Sequence, residues 1–160
     1  MTRWINSDPR NLQTLADIMD IVPTEKAVCV LEVDGTEVIC GALFDGYNGK
    51  TIHGHIWIAE GKQPSRLFWY AIYDYPFRCC GVANLIGTVV SYNKKAQRLV
   101  EHLGFKLNSI VPNYYPNGAD MMMYVCTPET AGRWERIRPA GFIVKEQENV
   151  RTIREEAESA

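Results

Sequence analysis

A chain of 160 residues, 46% of them hydrophobic, is long enough for one packed core and too short for two ordinary domains. Its formal charge of −2 gives no general attraction to nucleic acid or to an anionic membrane, so an anionic ligand would have to be held by local groups. No apolar run approaches the roughly 20 residues of a membrane span, and Met1 to Asn6 lacks the apolar stretch of a secretory signal, so the chain reads as soluble and cytoplasmic.

Ser7, Asp8 and Pro9 form a helix start, with Asp8 able to cap and Pro9 at the first helical position. Leu12, Leu15, Ile18 and Met19 then recur at helical spacing, and Pro23 is expected to end the segment. Ala27 to Val33 and Val38 to Phe44 are β-rich runs joined by Asp34-Gly35, a hairpin signal. A turn at residues 45–49 leads to a third strand from Thr51 to Ile58. Gly61-Lys62-Gln63-Pro64-Ser65 breaks the pattern, and a helix is expected from Arg66 to about Phe77. That helix is apolar or aromatic on nearly every side, so it should be enclosed.

Leu85 to Val90 reads as a strand, followed by an amphipathic helix capped by Asn93. Ala96, Leu99, Val100 and Leu103 share one face of it, and Gly104 suits its left-handed end. Leu107 to Val111 and Met121 to Cys126 are strands flanking a turn-rich loop, Pro112 to Gly118. Beyond Thr127 the chain is charged: residues 1–127 make the expected domain and 128–160 an extension, partly helical or disordered at 133–138 and 146–160. Cysteines 29, 40, 79, 80 and 126 are odd in number, lack Cys-x-x-Cys spacing and read as buried reduced thiols. His53 and His55 share one face of their strand and could relay a proton, but no third ligand accompanies them, so no metal is expected.

The strand followed by Asn-x-x-Ala-x-x-x-x-x-x-Leu-Gly-Phe at 93–105, and the order helix, three strands, helix, strand, helix, two strands over roughly residues 8–127, resemble the GCN5-related N-acetyltransferase (GNAT) superfamily. The resemblance implies an α+β, α/β/α layered fold, the GNAT-like acyl-CoA N-acyltransferase fold, with a mostly antiparallel central sheet whose strands splay apart. It also implies acetyl-CoA as cosubstrate and an amine as acceptor. Asp74-Tyr75-Pro76-Phe77 with Gly81 looks like bacteriophage-encoded members, which implies a host bacterial cytoplasm or a virion setting.

In that family the cofactor pyrophosphate rests on N–H groups at the start of the central helix. The resemblance carries this role to Gly61, Lys62, Gln63, Ser65 and Arg66, with Ile58, Ala59 and Glu60 as the strand edge for pantetheine and Asn93 as a contact besides its cap. Of the family's usual loop pattern only Gly61 remains, and Pro64 removes a donor. Transfer needs a base for the amine and an acid for the leaving thiolate. Val100 stands where many relatives carry a tyrosine acid, which leaves Tyr92 and Tyr124 as candidate acids and Glu60 as candidate base. The acceptor pocket is implied between the first helix, the loop before Ala27 and Pro112 to Gly118. The leading expectation is an acetyl-CoA-dependent N-acetyltransferase acting on a primary amine. The alternative is a catalytically inactive GNAT-fold protein that contacts a virion or host protein through its charged tail. Neither nucleic acid nor membrane is an expected partner.

Overall fold

The computed structural model describes residues 3–132 and Trp134. Among them the chain runs β1 (Arg3–Asn6), a 3₁₀ turn (Pro9–Asn11), α1 (Leu12–Met19), β2 (Val28–Asp34), β3 (Glu37–Asp45), β4 (Thr51–Ile58), α2 (Arg66–Tyr73), a π-helical continuation (Asp74–Cys79), β5 (Asn84–Val90), α3 (Lys94–His102), β6 (Lys106–Val111) and β7 (Met121–Cys126). The strands form one sheet in the order β1-β2-β3-β4-β5-β7-β6. Every neighbouring pair is antiparallel except β4 and β5. The expected α+β fold and layered architecture are present. The charged segments expected at 133–138 and 146–160 lie, apart from Trp134, outside the described residues.

Strand alternation divides the apolar side chains between two faces. Val28, Val30, Ala42, Phe44, Ile52, Leu85 and Tyr124 meet α2 and α3 on one. Cys29, Leu31 and Leu43 meet Leu15 and Ala16 of α1 on the other. Leu15 of α1 packs directly over Gly41: a Cβ there would lie 2.7 Å from Leu15 Cδ1, so any larger residue would push the Leu15 side chain aside. Trp57 of β4 packs against the same cluster.

Three local features differ from the sequence expectations. The short strand β1 pairs with β2 from Arg3↔Asp34 to Asn6↔Leu31, although four residues with a polar end carry little periodic signal. The first helix stops before Pro23, because Asp20 turns left-handed at φ 56° and its N–H closes on Ala16 and Asp17. The central helix runs past Phe77. Pro76 has no N–H to give to the carbonyl four residues back, and the chain opens into wider turns, with Cys80 N–H bonding Tyr75 O at 2.9 Å.

Gly104 ends α3 as expected, with Phe105 N–H reaching Val100 O at 3.0 Å. It also has a second reason to be glycine, since a Cβ there would fall 2.1 Å from Thr130 O. Thr127 to Ala131 therefore lies tightly against the end of α3. Trp134 continues this packing and stacks on Tyr70, Tyr73 and Phe77 at ring distances of 5.6, 6.3 and 6.3 Å.

All five cysteines are buried, and none is in a disulfide. No helix among the described residues is long and apolar enough to cross a membrane. No group of three or more His, Cys, Asp or Glu side chains suited to a metal ion occurs among them either.

Candidate active site

β4 and β5 run parallel but stay paired only from Thr51↔Asn84 to His53↔Ile86, and then diverge. β4 continues to Ile58 and β5 to Val90, so the sheet carries a wedge-shaped gap at its centre. Ala59 N–H bonds Ile39 O at 2.9 Å on the β3 side. Antiparallel alternation then turns the backbone groups of Gly54, Ile56 and Ile58 toward β5, past the point where pairing stops. That edge offers hydrogen bonds to an extended ligand. Ile58 belongs to it; the N–H of Ala59 faces the other way.

A cavity of about 730 Å³ fills the gap and passes through the sheet. On the α2/α3 face its walls include Ile56, Val89, Ala96, Leu99 and Val100. On the α1 face they include Ile18, Met19, His55, Trp57, Val90 and Tyr115. Tyr92 and Asn93 stand where β5 turns into α3, also on the wall. The Asn93 side chain caps α3 by accepting Ala96 N–H at 3.1 Å.

His55 is the imidazole on that wall. Burial pushes its pKa below the ordinary 6.5, nearby His53 adds to this, and Asp45 opposes it. Neutral imidazole is the form that can accept a proton. Burial alone would raise the pKa of Asp45, but the hydrogen bonds it accepts from Thr24 and Gly46, with the field of His55, bring it below the usual carboxylate value. Thr24 N–H reaches it at 2.9 Å and Gly46 N–H at 2.7 Å. An ionised Asp45 would favour the imidazolium once His55 has taken a proton.

The head of α2 is built differently. Ser65 caps the helix, its Oγ accepting Phe68 N–H at 3.3 Å. The Ser65 N–H itself donates to Glu32 Oε2 at 2.8 Å. Glu32 is fully buried, and its Oε2 also accepts the Cys40 thiol at 3.4 Å. Its Oε1 has no hydrogen bond and lies 3.7 Å from Arg3 Nη1, which donates to Gln63 O at 2.8 Å. A resident carboxylate thus sits where the helix dipole favours an anion, and β1 is tied to the loop beside it. Lys62 Nζ pairs with Glu37 Oε2 at 2.8 Å. Gly61 and Arg66 are exposed at the same end.

The sequence candidates are therefore divided. Tyr92 and Asn93 border the cavity, and Ile58 borders the gap. Gly61, Lys62, Gln63, Ser65 and Arg66 gather at the head of α2. Glu60 is exposed in the turn after β4 and lies outside the cavity wall. Tyr124 is fully buried, its hydroxyl donating to Glu101 Oε1 at 3.2 Å, with burial and the Glu101 charge raising its pKa; it also lies outside the wall. Sequence reasoning passed over Glu32. Its signal was a lone charge between the apolar run Val28-Cys29-Val30-Leu31 and Val33, the kind that is costly to bury without a fixed partner.

Comparison with solved structures places this architecture. The spermidine/spermine N-acetyltransferase SpeG from Vibrio cholerae, in two glutamate-to-glutamine mutant forms, matches with a TM-score of 0.67 at 16% identity, covering 81% of this chain and 97% of that one. SpeG with manganese ions gives a TM-score of 0.66 at 15% identity, covering 84% and 96%. A provisionally assigned phosphinothricin N-acetyltransferase gives 0.60 at 17% identity, covering 79% and 98%. The fold is that of the GNAT acetyltransferases. No protein-family profile matches the chain, and no curated protein matches its sequence. Nothing in these neighbours supports a phage origin.

Proposed function

We propose that this GNAT-fold protein transfers an acetyl group from acetyl-CoA to a primary amine. The observation that carries the reading is the cavity that threads the sheet where β4 and β5 part, with unpaired strand edge along one wall. Pantetheine lies along Gly54, Ile56 and Ile58, its amides pairing with the free backbone groups. The diphosphate rests near Gly61 to Arg66, with Lys62 and Arg66 supplying charge and Gln63 and Ser65 framing the loop. Asn93 borders the thioester end. The thioester carbonyl faces the α1 side, where the amine arrives.

His55 takes a proton from the ammonium, and the freed nitrogen attacks the carbonyl. The carbon–sulfur bond then breaks, Tyr92 or water protonates the departing thiolate, and the second proton lost by the acylated nitrogen restores that donor. The sum is one acetyl amide, one free thiol and one proton released. Glu60 and Tyr124, set apart from the cavity, take no part in this scheme.

Thermal unfolding with acetyl-CoA tests the reading: ligand at 100 times its dissociation constant adds about 2.7 kcal/mol of stability. No shift at millimolar acetyl-CoA would remove it.

A second reading, a catalytically inactive GNAT-fold protein that binds a virion or host protein, has one observation in its favour. Glu32 already holds the Ser65 N–H, so the anion seat at the head of α2 is partly filled from within.

A further inference from the structure

The α1 side of the cavity has a chemistry that selects among amines. Among the described wall residues none is Asp, Glu, Lys or Arg. Three carboxylates of the surrounding elements are otherwise engaged: Asp45 accepts from Thr24 and Gly46, Asp120 from Asn113 N–H at 2.9 Å, and Asp17 from Gln13 at 2.7 Å. Asp20 lies between Met19 and Ile21 but outside the wall. Two exposed apolar side chains lie on the wall itself, Ile18 at 45% and Tyr92 at 66% exposure. Val22, 95% exposed, follows wall residue Ile21 in the chain, and Tyr114, 55% exposed, packs edge-on against wall residue Tyr115 at 5.0 Å. Large apolar groups left open around a cavity mouth favour a ligand with apolar surface to cover.

We propose that the acceptor is a primary monoamine with an apolar or aromatic body, seated against Ile18, Met19, Trp57 and Tyr115 with its nitrogen at His55. This rests on the acetyltransferase reading. Burying the body against these side chains supplies the affinity, and only the reacting nitrogen leaves water as a charged group. His55 takes its proton only as the nitrogen attacks. A polyamine would bring further ammonium groups to a wall with no carboxylate to receive them, and each would lose hydration without a partner. Substrate preference should therefore run opposite to that named for the SpeG neighbours, whose likeness at 13–16% identity is one of fold.

The test uses the full chain, with acetyl-CoA affinity measured by calorimetry before any amine is added. Thiol release is then followed with phenethylamine and n-hexylamine against spermidine and putrescine. The expected result is a kcat/KM at least tenfold higher for the two monoamines. Ile18→Glu, at an exposed position on the end of α1, should raise the spermidine value at least tenfold while acetyl-CoA affinity holds within twofold. Spermidine matching or exceeding the monoamines in the unmodified protein overturns the inference. So does acetyl-CoA binding with none of the monoamines turned over, an outcome that leaves the cofactor reading standing. Failure to bind acetyl-CoA at all overturns both, and is read from the calorimetry alone.

Discussion

The two ends of the proposed cofactor path are built on opposite principles. At the gap between β4 and β5 the fold withholds its own partners: pairing stops at His53↔Ile86 and a cavity of about 730 Å³ stays open. At the head of α2 it supplies them. Glu32 takes the Ser65 N–H, Arg3 takes the Gln63 carbonyl and Glu37 takes Lys62. An open gap keeps its interactions in reserve for a ligand, whereas the filled helix head is stable alone and must give something up to receive a phosphate. Affinity should therefore come chiefly from the gap, and the head should act as a brake on it.

The largest effect belongs to the chemistry of the gap. His55→Gln should lower kcat by roughly 10²- to 10⁴-fold, the usual contribution of a positioned base. Because burial and His53 hold His55 below 6.5 against the pull of Asp45, kcat/KM in the parent should fall as pH drops through a midpoint under 6.5, as the imidazole gains a proton and can accept no other. That acid limb should vanish in His55→Gln. In Asp45→Asn it should move to lower pH, since the one influence raising the His55 pKa is gone. A limb that stays in place in His55→Gln assigns the base elsewhere.

Next comes the gap as a binding region. Ala96 is half-buried on the cavity wall, and Ala96→Phe would fill space that is now open rather than crowd a packed core. Acetyl-CoA affinity should fall at least about 100-fold, or roughly 2.7 kcal/mol, with the melting temperature little changed. An unaltered affinity would show that the gap is not on the cofactor path.

The same contrast explains what the sequence could and could not show. The Asn93 cap, the apolar face of α3 and Gly104 are local signals, and each reads directly from spacing. The splay between β4 and β5 came only through a family resemblance, since unpaired backbone groups leave no mark in side-chain pattern. Glu32 and Ser65 are 33 residues apart and meet only when β2 and α2 pack. Lone charges in apolar strands are a warning that such a meeting exists, but not with whom. Tyr124 shows the reverse difficulty: alternation places it on a face, yet only the packed α3 ties its hydroxyl to Glu101.

A smaller effect tests the brake directly. In Glu32→Gln the side-chain oxygen can still accept the Ser65 N–H, so α2 keeps its cap and its start. The negative charge is gone, and with it the competition for the helix dipole. Acetyl-CoA should bind about three- to tenfold tighter, a gain of roughly 0.7 to 1.4 kcal/mol. Unchanged affinity would mean that the phosphates do not sit at the head of α2.

The smallest expected effect lies one step further out, at Lys62 and Glu37. Their side chains are 35% and 60% exposed, and a pair so open to water contributes about 0 to 1 kcal/mol, so Glu37→Ala should leave stability nearly unchanged. Its consequence for binding has the opposite sign to its consequence for folding. Lys62 cannot meet Glu37 and a diphosphate at once, and removing the carboxylate frees the ammonium for the ligand. Acetyl-CoA affinity at low salt should then improve about two- to threefold, and the gain should disappear near 0.5 M salt, where exposed charges are screened within about 4 Å. A gain that persists in high salt would point to a rearranged loop rather than a freed charge. No gain at any salt would take Lys62 off the phosphate path and leave the gap to account for cofactor binding, which would make the contrast between the two ends sharper still.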